Sequence, residues 1–411
     1  MIDRPFQSLL RRVLLLTLVG LFAAAPAVAQ KLLDKDFPPN HGKNDPYTLG
    51  GDPELMAAAG IVSHGGFEFA TTDTAGVEDY MGTSEIRWLE SEHFELGFAI
   101  GGYKVSQKEK KVFLRDLTKL AEKLPTVDPK TKVLDPWLRA HLTILRMEEQ
   151  YQQFLELVNV PQSEFPDGTE PWNRQGTYRG EGPHLGQKGK YEVLILPSEA
   201  SSVDFLSHYF GLTIKRTQRW NVVERDTVTL TVHLQQGNLK NDGALHGHLA
   251  FNLMHNFFDG FEHYSYDTPI WIHEGLAHWA ERRVSPDHNS FDGSEGSVPK
   301  MSKEKNWAGK TRKIVAGGKQ PRMAALIRLK NYGQMSLDDH FCTWSMVDYL
   351  HQSNPAGLAA FLQGLKGRTT ADGFPDGSNL PDAHRDLFKE HFGMSYSQFD
   401  TAWVAWVETT Y

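Results

Sequence analysis

The sequence predicts an α+β fold with a small mixed sheet, a helical core and a C-terminal helical cap. Short segments of alternating or uniformly apolar residues, typical of strands, fall between residues 86 and 235. Two apolar patterns of helical spacing follow between residues 246 and 283, and residues 322–411 show such patterns almost throughout. Strands followed by a run of helices are typical of the α+β class.

The first 29 residues have the three parts of a secretory signal peptide. A basic start with three arginines precedes the apolar stretch 13–25 and a small-residue cleavage site, Ala-Val-Ala, at 27–29. The apolar stretch is shorter than the roughly 18 residues that a membrane-spanning helix needs. We therefore expect a secreted or periplasmic protein, cleaved after Ala29, with no integral membrane segment in the mature chain.

The net charge argues against nucleic-acid binding, and the cysteine content excludes stabilisation by an intramolecular disulfide. The chain has 43 Lys and Arg against 51 Asp and Glu, a net charge of −8. The first 29 residues contribute three Arg and one Asp, so the mature chain carries −10. A chain this acidic argues against nucleic-acid binding. The lone Cys342 excludes an intramolecular disulfide, so stability has to come from the core.

The chain before residue 236 divides into two parts. Residues 30–85 are rich in turn-forming Pro, Gly and Asn, and we expect them to be loosely structured. Residues 86–235 are predicted to form an α/β part. Its strands are predicted within 86–100 and at 191–196, 219–223 and 227–234, and its helices at 106–124, 134–157 and 198–210.

The most informative stretch, residues 246–283, indicates two helices that face each other across a turn. Pro269 stands just before the second helix, where a missing N–H group is harmless. His273 and His278 are five positions apart, so on a straight helix they point about 140° away from each other and cannot bind one ion. Glu274 and His278 are four apart and share a face. We expect His273 to be a loop or surface residue.

The start of this second helix, PIWIHEGLAHWAE at residues 269–281, resembles a signature of the gluzincin metallopeptidases, the aminopeptidase-N-like group. In that family a W-x-x-E-G-x-A run supplies the third zinc ligand, a role that the resemblance gives to Glu274. The family places this glutamate nineteen positions after the second histidine of H-E-x-x-H, which here is His255. FNLMHNFFDG at 251–260 is similar to a degraded form of that motif.

Two family positions depart from the pattern. Phe251 replaces the first ligand histidine and Asn252 replaces the general-base glutamate. Phe cannot ligate a metal, and Asn cannot take a proton from water, whereas this catalysis needs three ligands, an open position and a base. The resemblance therefore implies a pseudoenzyme without a cofactor. A groove lined by His248, Phe251 and Asn252 would remain, able to hold a peptide or protein ligand.

Two alternatives stay open. The first is an active zinc-dependent peptidase or hydrolase with relocated ligands His255, Glu274 and His278, for which Glu281 is the nearest candidate base. This hypothesis predicts metal loss in His278→Ala, whereas the pseudoenzyme hypothesis predicts no change. The second alternative is a plain structural or envelope-associated helical protein, which a closed, apolar space between the two helices would favour.

The resemblance also organises the remaining sequence. Residues 236–335 would hold the zincin-like helix pair, with a Lys-rich insertion at 285–320 that is either a lid or docking loop or a solvated mobile loop. Residues 336–411 would form the helical cap. In the family an edge strand flanks the cleft, for which the 227–234 strand is the candidate. A Tyr or His holds the oxyanion there, and the candidates are Tyr332, His340 and Tyr349.

Overall fold

A computed structural model of the chain describes residues 44–82, 85–265, 267–291 and 304–411. The predicted signal peptide and the middle of the Lys-rich insertion lie outside the described residues. The fold is mixed α and β, as predicted, with thirteen helices and small sheets in the described ranges. The chain forms two compact units. Unit 1 comprises residues up to Phe67, Thr74–Glu92 and Leu96–Leu145; unit 2 comprises Glu68–Asp73, His93–Glu95 and Arg146–Tyr411.

The helices agree with most of the sequence prediction. In chain order they are α1 Pro53–Ala59, α2 Thr74–Met81, α3 Lys110–Lys123, α4 Pro136–Val158, α5 Glu199–Phe210, α6 Asp242–Gly260, α7 Ile270–Val284, α8 Trp307–Ala316, α9 Met323–Leu326, α10 Leu337–Ser353, α11 Pro355–Lys366, α12 Leu380–Phe392 and α13 Tyr396–Thr410. Two helices were not predicted: α2 lies in the segment expected to be loosely structured, and α8 lies inside the insertion expected to be a loop. Helix α8 forms because Trp307 and Thr311 are buried.

The strands are short. In chain order they are β1 Glu68–Phe69, β2 Thr72–Asp73, β3 Arg87–Glu90, β4 Phe94–Phe98, β5 Tyr103–Lys104, β6 Val133–Leu134, β7 Tyr191–Leu196, β8 Gln218–Val222 and β9 Thr227–His233. In unit 2, β9 lies between β7 and β8, parallel to β7 and antiparallel to β8. Thr229 is opposite both Glu192 and Trp220.

The predicted sheet edge is wrong. Strand β8 has a strand on one side only within the described residues, so β8 and not the 227–234 segment is the edge of the unit 2 sheet. The sequence of β9 alternates Thr with apolar residues, a pattern typical of a half-buried strand. All seven residues of β9 are nevertheless buried, as expected of a strand that is covered on both faces.

Unit 1 contains a buried polar cluster of its own. The carboxylate of Asp45 accepts hydrogen bonds from Thr48 at 2.7 Å and lies 2.7 Å from Nε2 of His141 and 3.0 Å from Nε2 of His64. Burial would raise the pKa of Asp45, but His141 and the other hydrogen bonds hold it well below its ordinary value. The cluster therefore fixes residues near the start of the described chain to α4.

Close packing of α7 on α10 positions the functional groups of unit 2. A Cβ atom added to Gly275 would lie 2.8 Å from the backbone oxygen of Thr343 and 2.8 Å from Cγ2 of Val347. Only glycine permits this approach of the two helices. His340 is one turn before Thr343, so the contact brings His340 beside Glu274. Cys342 on the same helix is fully buried.

The helical cap is tied to α7 by a histidine. The indole N–H of Trp271 donates to Nε2 of His384 on α12 at 3.0 Å, and Nδ1 of His384 lies 2.7 Å from the hydroxyl of Tyr396. His384 is fully buried. Throughout the described residues, no helix is both long enough and apolar enough to cross a membrane.

Candidate functional site

The candidate site surrounds the carboxylate of Glu274, which is fully buried on α7. Its Oε1 atom lies 3.3 Å from Nε2 of His255 on α6. Its Oε2 atom lies 3.4 Å from Nε2 of His278, one turn further along α7, and 3.5 Å from Nδ1 of His340 on α10. Three helices thus each direct one histidine at the same carboxylate.

The charge of Glu274 depends on these histidines. Burial would raise the pKa of Glu274, but contacts with His255 and His278 outweigh burial and hold it well below its ordinary value. The carboxylate is therefore ionised although it has no access to water. Neither oxygen has a well-oriented hydrogen-bond donor among the described residues. A buried ionised group in this state needs positive charge close by.

The histidines around Glu274 differ in their pKa. Burial would lower the pKa of His278, but Glu274 and Glu281 raise it above its ordinary value. Burial lowers the pKa of His255 to about 4, helped by Arg219. It also lowers the pKa of His340 to about 3, helped by His278. His255 and His340 are therefore neutral at pH 7, whereas His278 holds its proton more readily and would have to release it to bind a metal ion.

Phe251 and Asn252 are packed into the protein. The centre of the Phe251 ring lies 4.7 Å from that of His255 and 5.0 Å from that of His278. Oδ1 of Asn252 accepts a hydrogen bond from Arg219 on β8 at 2.8 Å, and its amide donates to the backbone oxygen of His248 at 2.9 Å. Neither side chain therefore supplies a metal ligand or a general base beside Glu274.

His248 also faces other partners. Its Nε2 atom lies 2.7 Å from the hydroxyl of Thr217, and its Nδ1 atom lies 2.8 Å from the hydroxyl of Ser290. The three residues predicted to line a groove, His248, Phe251 and Asn252, are at most 4% exposed. They pack inside the protein and contribute no open surface, because both ring nitrogens of His248 and both polar atoms of Asn252 have protein partners.

Glu281, the alternative base, lies behind His278. Its Oε2 atom is 3.9 Å from Nδ1 of His278 and accepts a hydrogen bond from the backbone N–H of Ser290 at 2.9 Å. At this distance the carboxylate makes no hydrogen bond to the ring, so it contributes negative charge beside His278. The position suits that role better than proton transfer to a water.

The prediction that His273 is a surface residue is wrong. His273 is buried and joins a chain of polar contacts. Its Nδ1 atom is 2.8 Å from Nδ1 of His255 and 2.6 Å from the hydroxyl of Tyr332, and its Nε2 atom is 2.7 Å from Oδ1 of Asp259. The face of α7 opposite His278 is covered by α6 and by the segment containing Tyr332, so no face near His273 is left to solvent.

Of the three candidates for holding an oxyanion, only His340 contacts Glu274. Tyr332 contacts His273, and Tyr349 packs against the rings of Phe399 and Trp406. As a possible metal ligand, His340 was missed by the sequence analysis. It lies far from Glu274 along the chain, and no local spacing connects the two residues.

Aromatic rings enclose the other side of the site. The ring centres of Phe291 and Trp307 lie 5.1 and 4.8 Å from that of His278, and Phe291 also lies 5.3 Å from His340. The space between α6 and α7 is therefore closed, as the structural hypothesis expects, but it is charged and not apolar.

One part of this arrangement has metal-ligating character. Oxygen or nitrogen atoms of Glu274, His278 and His340 all lie within 4.8 Å of one another. His255 stands next to the other carboxylate oxygen. The nineteen-residue spacing thus brings His255 and Glu274 into contact, and the fold adds His278 and His340 on the opposite side. One carboxylate and two imidazoles are a common donor set for zinc.

Comparison with protein-family models and with curated proteins finds no match to this chain. The resemblance to the gluzincins therefore stays an expectation from the motif residues alone.

Proposed function

We propose that this chain is a secreted, gluzincin-like protein that has lost peptidase chemistry and acts by binding. The observation that carries the proposal is the state of Phe251 and Asn252. An aromatic ring fills the position of the first ligand, and an amide hydrogen-bonded to Arg219 fills that of the base. Water activation of the family type then has neither a complete ligand set nor a proton acceptor.

The contact between His255 and Glu274 supports the gluzincin-like part of the proposal. These residues would be two of the three family ligands, and their side chains approach to 3.3 Å. Such an approach is expected if α6 and α7 correspond to the helix pair of the family. The spacing of the two residues in the sequence is then the spacing that the family uses.

A peptide or protein segment is the proposed ligand, and β8 is its proposed docking edge. Strand β8 has an unoccupied side within the described residues, and backbone groups on such an edge can pair with an added strand. Arg219 on β8 contacts Asn252, so this strand runs beside the degenerate motif. Trp220 is 39% exposed and offers apolar surface at the same place.

The test uses the mature chain, residues 30–411. Incubated with a mixed peptide library, with and without added zinc, it should leave every peptide intact by mass spectrometry. Anisotropy of labelled peptide pools should show binding that Trp220→Ala weakens and that Trp172→Ala, a change outside β8, leaves unaltered. Chelator-sensitive cleavage that disappears in Glu274→Gln would disprove the loss of peptidase activity. Equal binding by both tryptophan variants would remove β8 as the docking edge.

An active zinc-dependent hydrolase is the second candidate. The contacts of Glu274 with both His255 and His278, at 3.3 and 3.4 Å, favour it because they bring the relocated ligands together. Glu281, its candidate base, is engaged by Ser290 and lies behind His278. This candidate requires cleavage in the same assay and its loss in His278→Ala.

A further inference from the structure

We propose that Glu274, His278 and His340 form a buried site for a divalent cation of the zinc class that fastens α7 to α10. The proposal goes beyond the proposed function because it needs neither peptidase chemistry nor a peptide ligand. It also differs from the ligand set predicted from the sequence, since His340 on α10 takes part and His255 on α6 does not.

The three donor atoms already have the spacing of a coordination shell. Oε2 of Glu274 is 3.4 Å from Nε2 of His278 and 3.5 Å from Nδ1 of His340, and the two nitrogens are 3.0 Å apart. Ligands at about 2.0–2.1 Å from zinc in tetrahedral geometry lie about 3.3 Å from one another. Hydrogen bonds of ionised groups are shorter, at about 2.7–2.9 Å. The distances to the carboxylate therefore fit a shared cation better than direct hydrogen bonds.

The carboxylate provides a second, independent observation. Glu274 is 0% exposed, and within the described residues neither of its oxygens accepts a well-oriented hydrogen bond. Buried polar atoms without partners are uncommon and need an explanation, such as an ion. A cation between the three donor atoms would satisfy Oε2 and compensate the buried negative charge.

The surroundings of His278 complete the site. Oε2 of Glu281 is 3.9 Å from the outer nitrogen of His278, too far for a hydrogen bond, so it contributes negative charge beside the ring and does not fix its orientation. Phe251, Phe291 and Trp307 pack around the same imidazole and shield it from bulk solvent. Three protein donors leave the fourth tetrahedral position of the cation to a small ligand such as one water molecule.

Metal analysis of the mature chain, purified without a histidine tag, tests the site. After zinc addition and dialysis we expect about one zinc per chain, because a buried site releases its cation slowly. His340→Gln should weaken zinc binding at least about tenfold, whereas the matched variant His384→Gln, at a buried histidine that contacts Trp271 and Tyr396, should bind zinc as the wild type does. Circular dichroism verifies that both variants fold.

Wild-type measurements keep the test decisive if His340→Gln does not fold. Added Co²⁺ should give the visible absorption of a tetrahedral N/O site, and zinc should raise the melting temperature, which a chelator reverses. The proposal would be overturned if the wild type retained no zinc after dialysis, gave no Co²⁺ absorption and showed no zinc-dependent shift in melting temperature. Zinc that is lost in His255→Gln but kept in His340→Gln would overturn it as well. Neither result bears on the peptidase assay, so the two proposals fail separately.

Discussion

At the scale of single residues, Asn252 joins two elements of unit 2. Its Oδ1 atom accepts a hydrogen bond from Arg219 of β8 at 2.8 Å, and its amide N–H donates to the backbone oxygen of His248 at 2.9 Å. This position in the helix thus joins the sheet to α6, and the side chain stabilises the fold without access to solvent.

Asn252→Ala should therefore lower the free energy of unfolding. Removal of one partner of a buried hydrogen bond costs about 1–3 kcal/mol, because the remaining group stays unsatisfied. Urea denaturation at pH 7 measures the loss. Asn256→Ala is the matched control, one turn further along α6, since Asn256 makes a longer bond of 3.3 Å to Thr229. Equal losses in both variants would contradict the role given to Asn252.

At the residue level, the nineteen-residue interval paired His255 with Glu274, and the two side chains approach to 3.3 Å. Their role as metal ligands stays a prediction. His340 was missed as a partner of Glu274 because helix packing, which no local pattern encodes, brings the two together. His273 was misassigned because helical periodicity shows which residues share a face but not whether the opposite face is covered.

At the scale of elements, the close approach of α7 and α10 depends on Gly275. Gly275 packs directly against the backbone of Thr343. A Cβ atom at this position would lie 2.8 Å from the backbone oxygen of Thr343, which is too close. The same approach places His340 at the carboxylate of Glu274. A residue without a side chain thereby determines which histidine completes the candidate site.

Gly275→Ala should destabilise the protein although alanine favours helices. The propensity gain is about 1 kcal/mol, whereas overpacking against a backbone costs about 1–3 kcal/mol, so we expect a net loss of up to about 2 kcal/mol. Gly247→Ala on α6 is the control, because its Cβ would meet Glu281 at an ordinary 3.5 Å. A stabilised Gly275→Ala in urea denaturation would contradict the proposed tight contact.

The link between α7 and the cap should make stability depend on pH. Burial lowers the pKa of His384 to about 3, and Nε2 has to stay unprotonated to accept from Trp271. The unfolded chain binds a proton below about pH 6.5 and the folded chain does not. Stability from this residue is therefore present above pH 6.5 and is lost as pH falls toward 3, by about 1.4 kcal/mol per pH unit.

His384→Gln tests this dependence, since glutamine can still accept from Trp271 but does not titrate. Urea denaturation at pH 7 and pH 5 should show that the wild type loses about 2 kcal/mol more than the variant between the two values. Any constant cost of the substitution cancels in this comparison. A variant with the same acid sensitivity as the wild type would show that other groups dominate.

Secondary-structure prediction was strongest for the helical cap. It was weakest for elements whose burial depends on packing against distant parts of the chain. Helices α10 to α13 lie within residues 322–411, where helical patterns were predicted almost throughout. Ser336 and Ser395 cap the starts of two of them, and prolines stand in the first turn of the two others. Helix α8 was missed because its sequence is polar, yet Trp307 anchors it beside His278. Strand β9 was placed at the edge because the resembled family has an edge strand beside its cleft, but β9 lies between β7 and β8.

At the scale of the whole molecule, a mixed α/β fold was predictable from the order of the patterns, whereas the division into units was not. Unit 2 takes short segments from early in the chain, including Glu68–Asp73 and His93–Glu95, and local patterns carry no information on such long-range assembly. Export of the chain and cleavage after Ala29 stay predictions from the composition of the first 29 residues.

The buried thiol of Cys342 offers a natural probe for the opening of α10. The thiol lies two residues after His340 on α10, is fully buried, and has a pKa raised well above its ordinary value by burial and by Asp339. A thiol reagent can therefore modify it only when α10 opens. The labelling rate in native buffer would measure how often this helix detaches. If added zinc slows the labelling, the change in rate would report how strongly the proposed cation fastens α7 to α10.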